Sequence, residues 1–165
     1  MSRPTCQRCL RPLSRCWCHC VSHCHSPINV HILQHPDETG HPKNTGLLLA
    51  RCVEHATLTV VEQLENTLTA LAANIGPNPA LLFVDKGDQS VPQTTRPSDL
   101  IVLDASWRKA RGWVLSSPWL AALPRVSLSG PSTAPNEVRL SSVAGARSTY
   151  VAAIEALASF NALQP

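Results

Sequence analysis

Five of the chain's seven cysteines lie between residues 6 and 20. Cys6 and Cys9 form a C-x-x-C pair, and Cys16 and Cys18 form a C-x-C pair six residues further on. Two close pairs that fold back on one another make a tetrahedral thiolate site, the arrangement zinc takes with Zn–S near about 2.3 Å. Pro12, between the pairs, suits a tight return. With all four ligands drawn from protein, such a metal is structural and keeps no open position for water. His19, Cys20, His23, Cys24 and His25 follow at once and are surplus ligands, so the set is open by one or two positions. Disulfides or free thiols are the competing reading. Arg8, Arg11 and Arg15 punctuate the cluster, and in small zinc modules that touch nucleic acid such arginines point outward.

The second chemical feature is a carboxylate. Asp104 directly follows Ile101-Val102-Leu103, at the end of the apolar run DLIVLD. In α/β sheets, ligands gather at the carboxyl ends of strands. A carboxylate delivered there is poorly solvated and needs either a function or hydrogen-bond partners. The plainer alternative is that Asp104 caps a helix beginning near Ser106. The chain carries no GxGxxG, no P-loop and no G-x-S-x-G elbow, so dinucleotide, NTP and serine-hydrolase readings lack support. His35 and His41 share a loop with Asp37 and Glu38; a solvated loop explains them better than a metal does.

The elements that must position these residues follow from periodicity. INVHILQ (28–34) alternates apolar and polar residues and reads as a strand. Asn44 is placed to cap a helix over TGLLLARCVEH, with Leu48, Leu49, Cys52 and Val53 on its apolar side. TLTVV (57–61) is a short strand, and EQLENTLTALAANI (62–75) a helix with Leu64, Leu68 and Leu71 on one side, stopped by GPNP. ALLFV (80–84) and DLIVLD (99–104) are continuous apolar runs of the kind buried in parallel sheets. Between them KGDQSVPQTTRPS is a polar loop. SWRKARGWVLSS (106–117) reads as a helix, RVSLS (125–129) as a strand, and 130–136 as a Pro/Gly/Ser-rich connection. Ser148 caps a last helix over 149–163, whose buried side would carry Val151, Ile154, Leu157 and Ala158. This alternation predicts an α/β fold: a mostly parallel sheet with helices on both faces. The division is a cysteine-rich knuckle over 1–26 and one α/β domain over 27–165.

Composition sets the remaining bounds. Hydrophobic residues make up 44% of the 165, enough for a real core, and no apolar run approaches the ~18 residues of a membrane span. The start, MSRPTCQRC, has no apolar signal-peptide core, which points to a cytoplasmic, reducing compartment where clustered cysteines are metal ligands more often than disulfides. The net charge is only +3, but eleven of the 14 basic residues are arginine. Arginine suits phosphate and stacks on bases; a GC-rich coding bias produces the same excess.

Taken together, the motifs resemble the DTW-domain family. The matching residues are C-x-x-C-x-R-P-x-x-x-C-x-C (6–18), LQHPDE (33–38), NTGLLL (44–49), IVLDASW (101–107) and RST (147–149). The resemblance covers about residues 6 to 155 and is specific in the joint order and spacing of these pieces. It implies a SPOUT-like fold with a knotted C-terminal segment, which strand periodicity does not reveal. It implies an S-adenosylmethionine-dependent transferase, a tRNA-uridine aminocarboxypropyltransferase, which moves a 3-amino-3-carboxypropyl group to N3 of a uridine in tRNA. In that reading Asp104 accepts the N3 proton, while Ser106, Trp107, Ser148 and Thr149 hold the methionine-derived donor or the target base. His35, Glu38, Asn44 and Thr45 shape the site or touch substrate, with plain capping as their alternative. Arg8, Arg11 and Arg15 meet tRNA phosphates. Cys6, Cys9, Cys16 and Cys18 hold structural zinc.

Two departures from the pattern shape the rivals. The eponymous motif reads D-A-S-W here, keeping a hydroxyl at Ser106. The last motif, usually S-T-x-E-A, has Val151 where Glu is expected, with Glu155 one helical turn on. The chain also ends soon after its last helix, where such relatives generally continue. A zinc-stabilised RNA-binding protein with weakened or lost catalysis is therefore one rival, and a SPOUT-type RNA methyltransferase another. A DNA-binding zinc module fits poorly, because no basic recognition helix is present. Neither DNA nor membrane is an expected partner, and the oligomeric state is open.

Overall fold

The computed structural model describes residues 4–41, 44–83, 92–128 and 147–163. Five strands form one sheet: β1 (Asn29–Gln34), β2 (Ala56–Val60), β3 (Pro79–Leu82), β4 (Asp99–Asp104) and β5 (Arg125–Val126). Their spatial order is β2-β1-β4-β3-β5, and every pairing is parallel. All six residues of β4 are buried, as its unbroken apolar run requires of a central strand. β2 is half exposed along its length, as an edge strand is.

Successive side chains alternate between two cores. Val30, Ile32, Leu100, Val102 and Ala80 face one layer, built by α1 (Gly46–Cys52) and α5 (Thr149–Ser159). Leu33, Ile101, Leu103 and Leu81 face the other, built by α2 (Leu64–Ala72), α3 (Trp107–Ser116) and α4 (Pro118–Ala122). Helices on both faces of a parallel sheet are thus observed, and among the described residues no helix is long and apolar enough to cross a membrane. The connection from β5 to α5, on which a C-terminal knot depends, lies outside the described residues, as do the segment 130–136 and part of the loop 86–98.

Most sequence expectations hold to within a few residues; α4 had none. Its start is encoded by Ser117, whose Oγ accepts from Leu120 N at 3.2 Å ahead of Pro118. Its end is closed by a buried arginine: Arg125 on β5 donates to the carbonyls of Leu120 at 2.9 Å and Leu123 at 2.7 Å. The buried stripe of α5 also differs from expectation. Ala153, Ala156 and Leu157 are fully covered, whereas Val151 and Ile154 are half-buried and Ala158 is exposed. Small residues let this helix lie close against the sheet, and the larger apolar ones flank the contact.

Asp99 opens β4 and is buried with a complete set of donors: Asn29 Nδ2 at 3.2 Å, His31 Nε2 at 2.8 Å and Gly76 N at 2.9 Å. Burial alone would raise its pKa, but the hydrogen bonds from His31, Ser98, Asn29 and Gly76 outweigh it and hold the carboxyl below its ordinary value. This acid fastens the β1 and β3 ends of the sheet.

Candidate active site and metal centre

β1 and β4 are neighbours whose onward connections part. β1 leads through α1 to β2 at one edge, and β4 leads through α3 and α4 to β5 at the other. Such a divergence opens a crevice at the carboxyl ends of the two strands. Gln34 and Asp104 are the last residues of these strands and face each other in register.

Asp104 lies at this switch point. Gln34 Nε2 donates to its Oδ2 at 2.8 Å and Thr149 Oγ1 to its Oδ1 at 2.7 Å. The residue is 5% exposed. Each oxygen accepts one of these bonds and retains a further lone pair. Thr39 Oγ1 donates to Gln34 Oε1 at 3.3 Å, which orients the amide. Gly46 backs onto the carboxylate: a Cβ there would stand 2.8 Å from Asp104 Cγ and closer still to Oδ2. Only glycine lets the first turn of α1 come this near. Tyr150 N donates to Thr45 Oγ1 at 3.4 Å, tying the starts of α5 and α1 together. Asp104 does not cap α3: its carboxylate turns to α1 and α5 instead.

The other expected residues divide into two groups. The N-cap of α1 is Thr45, without a side-chain capping bond, rather than the expected Asn44; Asn44, one residue ahead, still meets the first turn through Oδ1, which accepts from Leu47 N at 3.2 Å, while its Nδ2 donates to the Glu38 carbonyl at 2.8 Å. His35 Nδ1 accepts from Asp37 N at 3.1 Å, and its ring stacks on Trp113 with centroids 5.5 Å apart. Lys109 pairs with Asp37 and lowers its carboxyl pKa, joining α3 to this loop. His35, Glu38, Asn44 and Thr45 thus tie the loop after β1 to α3 and to the starts of α1 and α5. Ser148 Oγ caps α5 by accepting from Val151 N at 3.3 Å. Ser106 precedes α3 without a side-chain capping bond. Trp107 is 57% exposed, with the Arg111 guanidinium 5.8 Å from its ring centroid. Core packing, the plain expectation for a tryptophan, does not apply to it. Glu155, one turn after Val151, is paired with Arg147.

Gln34, Gly46 and Tyr150 were not anticipated as site residues. Gln34 carried two signals: it ends a strand just as Asp104 does, and it lies in the LQHPDE segment, as Gly46 lies in NTGLLL.

The cysteine-rich segment is a separate centre. The sulfurs of Cys6, Cys9, Cys16 and Cys18 all lie within 4.8 Å of one another. Cys6 Sγ is 3.9 Å from Cys18 Sγ, and Cys9 Sγ is 3.7 Å from Cys16 Sγ. A tetrahedron with Zn–S near 2.3 Å has edges of about 3.8 Å, so the quartet fits zinc. No disulfide joins any two of the cysteines among the described residues. Backbone hydrogen bonds from Cys9 and Arg8 pull the Cys6 thiol down to about 6, while desolvation and the neighbouring thiols push Cys18 up to about 12. Among the surplus residues, none joins this quartet. Leu10 turns the knuckle in a left-handed conformation, φ 59°.

This segment packs at the far end of α1 from Asp104. Cys24 N donates to Cys52 O at 2.7 Å, and Arg51 Nη2 reaches the Arg8 carbonyl at 3.5 Å. Arg8, Trp17, Cys18, Val21, His23 and Arg51 line a small open pocket of about 80 Å³. Arg8 and Arg15 are exposed and Arg11 is half-buried. The knuckle and the Asp104 crevice thus stand at opposite ends of a seven-residue helix, roughly 10 Å apart along its axis.

A family model described as the DTW domain matches residues 3–164. A curated relative, tRNA-uridine aminocarboxypropyltransferase 2 of Drosophila melanogaster, is 28% identical over 166 residues. That match takes in 94% of this chain and 66% of the fly protein, so the chain spans just under two thirds of its relative's length. No solved structure matches the chain.

Proposed function

We propose, from the premise that this chain belongs to the DTW-domain family, that it transfers the 3-amino-3-carboxypropyl group of S-adenosylmethionine to N3 of a uridine in tRNA. The observation that carries this reading is the placement of Asp104: a buried carboxylate at the topological switch point, fed by Thr149 and Gln34 and bordered by the start of α5.

Uridine N3 bears a proton at neutral pH, and a base must take it as the new bond forms. Asp104 is that base; the lone pairs not used by Thr149 and Gln34 are its acceptors. S-adenosylmethionine supplies an activated carbon whose bond to sulfur breaks as N3 attacks, the electron pair passing to sulfur. Ser148 Oγ accepts from Val151 N and keeps its O–H to donate, so it holds the carboxylate of the donor at the positive end of α5. Thr149 donates its hydrogen bond to Asp104, and its part is to aim the base. Ser106, whose hydroxyl is not used in capping, contacts the donor beside it. Trp107 offers an exposed ring on which a splayed-out base stacks. Arg8, Arg11 and Arg15 take tRNA phosphates, and Cys6, Cys9, Cys16 and Cys18 hold a structural zinc that supports their surface.

The test is incubation of the protein with unmodified tRNA and S-adenosylmethionine, followed by nucleoside mass analysis. A uridine heavier by one aminocarboxypropyl group is expected. A uridine heavier by one methyl would make the protein a methyltransferase, and binding of tRNA with no product would make it a binding module.

A further inference from the structure

Outside both centres, His25, Glu54 and His55 bring three metal-binding side chains together, with one ligand atom of each within 4.8 Å of the others. His25 Nδ1 is 2.7 Å from Glu54 Oε2, and His55 Nε2 is 4.0 Å from Glu54 Oε1. Around a tetrahedral zinc with ligand bonds near 2.05 Å, such atoms stand about 3.3 Å apart. The two observed separations run to different oxygens of Glu54, Oε2 for His25 and Oε1 for His55, so the carboxylate sits between the two imidazoles, and the three ligand atoms must draw in from within 4.8 Å of one another to close on an ion. All three side chains are about half exposed, so an ion has a way in.

The backbone beneath them is already fixed. Cys24 and Val53 form a parallel bridge, with Cys24 N bonded to Cys52 O at 2.7 Å and Glu54 N bonded to Cys24 O at 2.9 Å. Val30 N bonds to His55 O at 3.0 Å. His55 itself is left-handed, φ 62°, a conformation uncommon for a residue with a side chain. The ligands therefore sit on a braced turn, and binding need not order the chain first.

We infer that His25, Glu54 and His55 form a second metal site, for a borderline divalent ion such as zinc. Two imidazoles and one carboxylate suit that class of ion, and three protein ligands leave a position for water. The bound ion clamps the end of the cysteine-rich segment to the turn between α1 and β2, joining residues 29 positions apart. The inference does not depend on the transfer reaction.

The test is equilibrium dialysis of the full chain against zinc, counting bound equivalents. The wild type should hold one equivalent more than His25→Ala/His55→Ala, and Glu54→Gln, which keeps the shape, should also lose that equivalent. Cys16→Ser/Cys18→Ser should keep it, which separates this site from the thiolate centre. Thermal melts in chelator confirm that the histidine variant folds as the wild type does. Equal zinc content in the wild type and the histidine variant would overturn the inference, as would loss of the equivalent only when the cysteines are replaced.

Discussion

Thr149 Oγ1 donates to Asp104 Oδ1 across 45 residues of chain, at 2.7 Å. One bond thereby joins the start of α5 to the end of the central strand and fixes which way the carboxylate points. Asp104→Asn keeps the size of the side chain and an oxygen that accepts from Thr149, while its NH2 replaces the oxygen that accepts from Gln34, whose amide must turn over to meet it. The substitution removes the base, and transfer should fall by roughly 10²- to 10⁴-fold. S-adenosylmethionine affinity, read by calorimetry, should change far less. Near-normal turnover in the variant would reduce Asp104 to a structural pin.

Gly46→Ala tests the close approach of α1. The new methyl must displace either the carboxylate or the helix, because it would lie 2.8 Å from Asp104 Cγ. Overpacking of this kind costs about 1–3 kcal/mol. Chemical denaturation should register that loss, and activity should drop with it. A fully active and equally stable variant would show that the crevice is wider than the structure has it.

Trp107→Ala separates binding from folding. The ring is 57% exposed, so stability should hardly move. Loss of a base-stacking face should weaken tRNA binding by about 1–3 kcal/mol. Replacing Arg8, Arg11 and Arg15 with Ala should instead lower the salt slope of binding, by about 1 for each lost phosphate contact. An unchanged slope in the triple variant would place the RNA elsewhere.

Asp99 sets part of the acid limb of stability. Its carboxyl pKa in the folded chain lies below the unfolded value. Between those two values the unfolded chain binds the extra proton, so stability falls as pH falls. The contribution is full above about pH 4, the ordinary range for Asp, and disappears below the folded pKa. Melting temperatures of Asp99→Asn against pH should therefore be lower near neutrality and flatter on the acid side. A parallel offset at all pH values would contradict the ionic role.

Cys16→Ser should release bound zinc and lower stability more than Cys52→Ala. Cys16 belongs to the four-sulfur cluster, whereas Cys52 is a buried residue of α1 with no place in it. Elemental analysis and melting curves of the two variants decide this. Equal metal content in both would remove the quartet as the zinc site.

Local chemistry determined a good deal by itself. Continuous apolar runs marked β3 and β4, because a strand covered on both faces has no polar side to show, and apolar/polar alternation marked β1. Ser148 and Asn44 announced the starts of α5 and α1 through their short polar side chains. The spacing of Cys6, Cys9, Cys16 and Cys18 named the four sulfurs that the fold brings together. Asp104 stood out as an acid at the end of a buried strand. None of this could say what meets Asp104. Gln34 lies 70 residues away and Thr149 lies 45 away, and their convergence depends on β1 pairing with β4 and α5 covering that face. Periodicity and capping act over one or two turns, whereas strand order is settled by how whole layers cover one another. The burial of Arg125, the small-residue face of α5 and the grouping of His25 with Glu54 and His55 arose the same way, from packing between segments that carry no mark of one another in sequence.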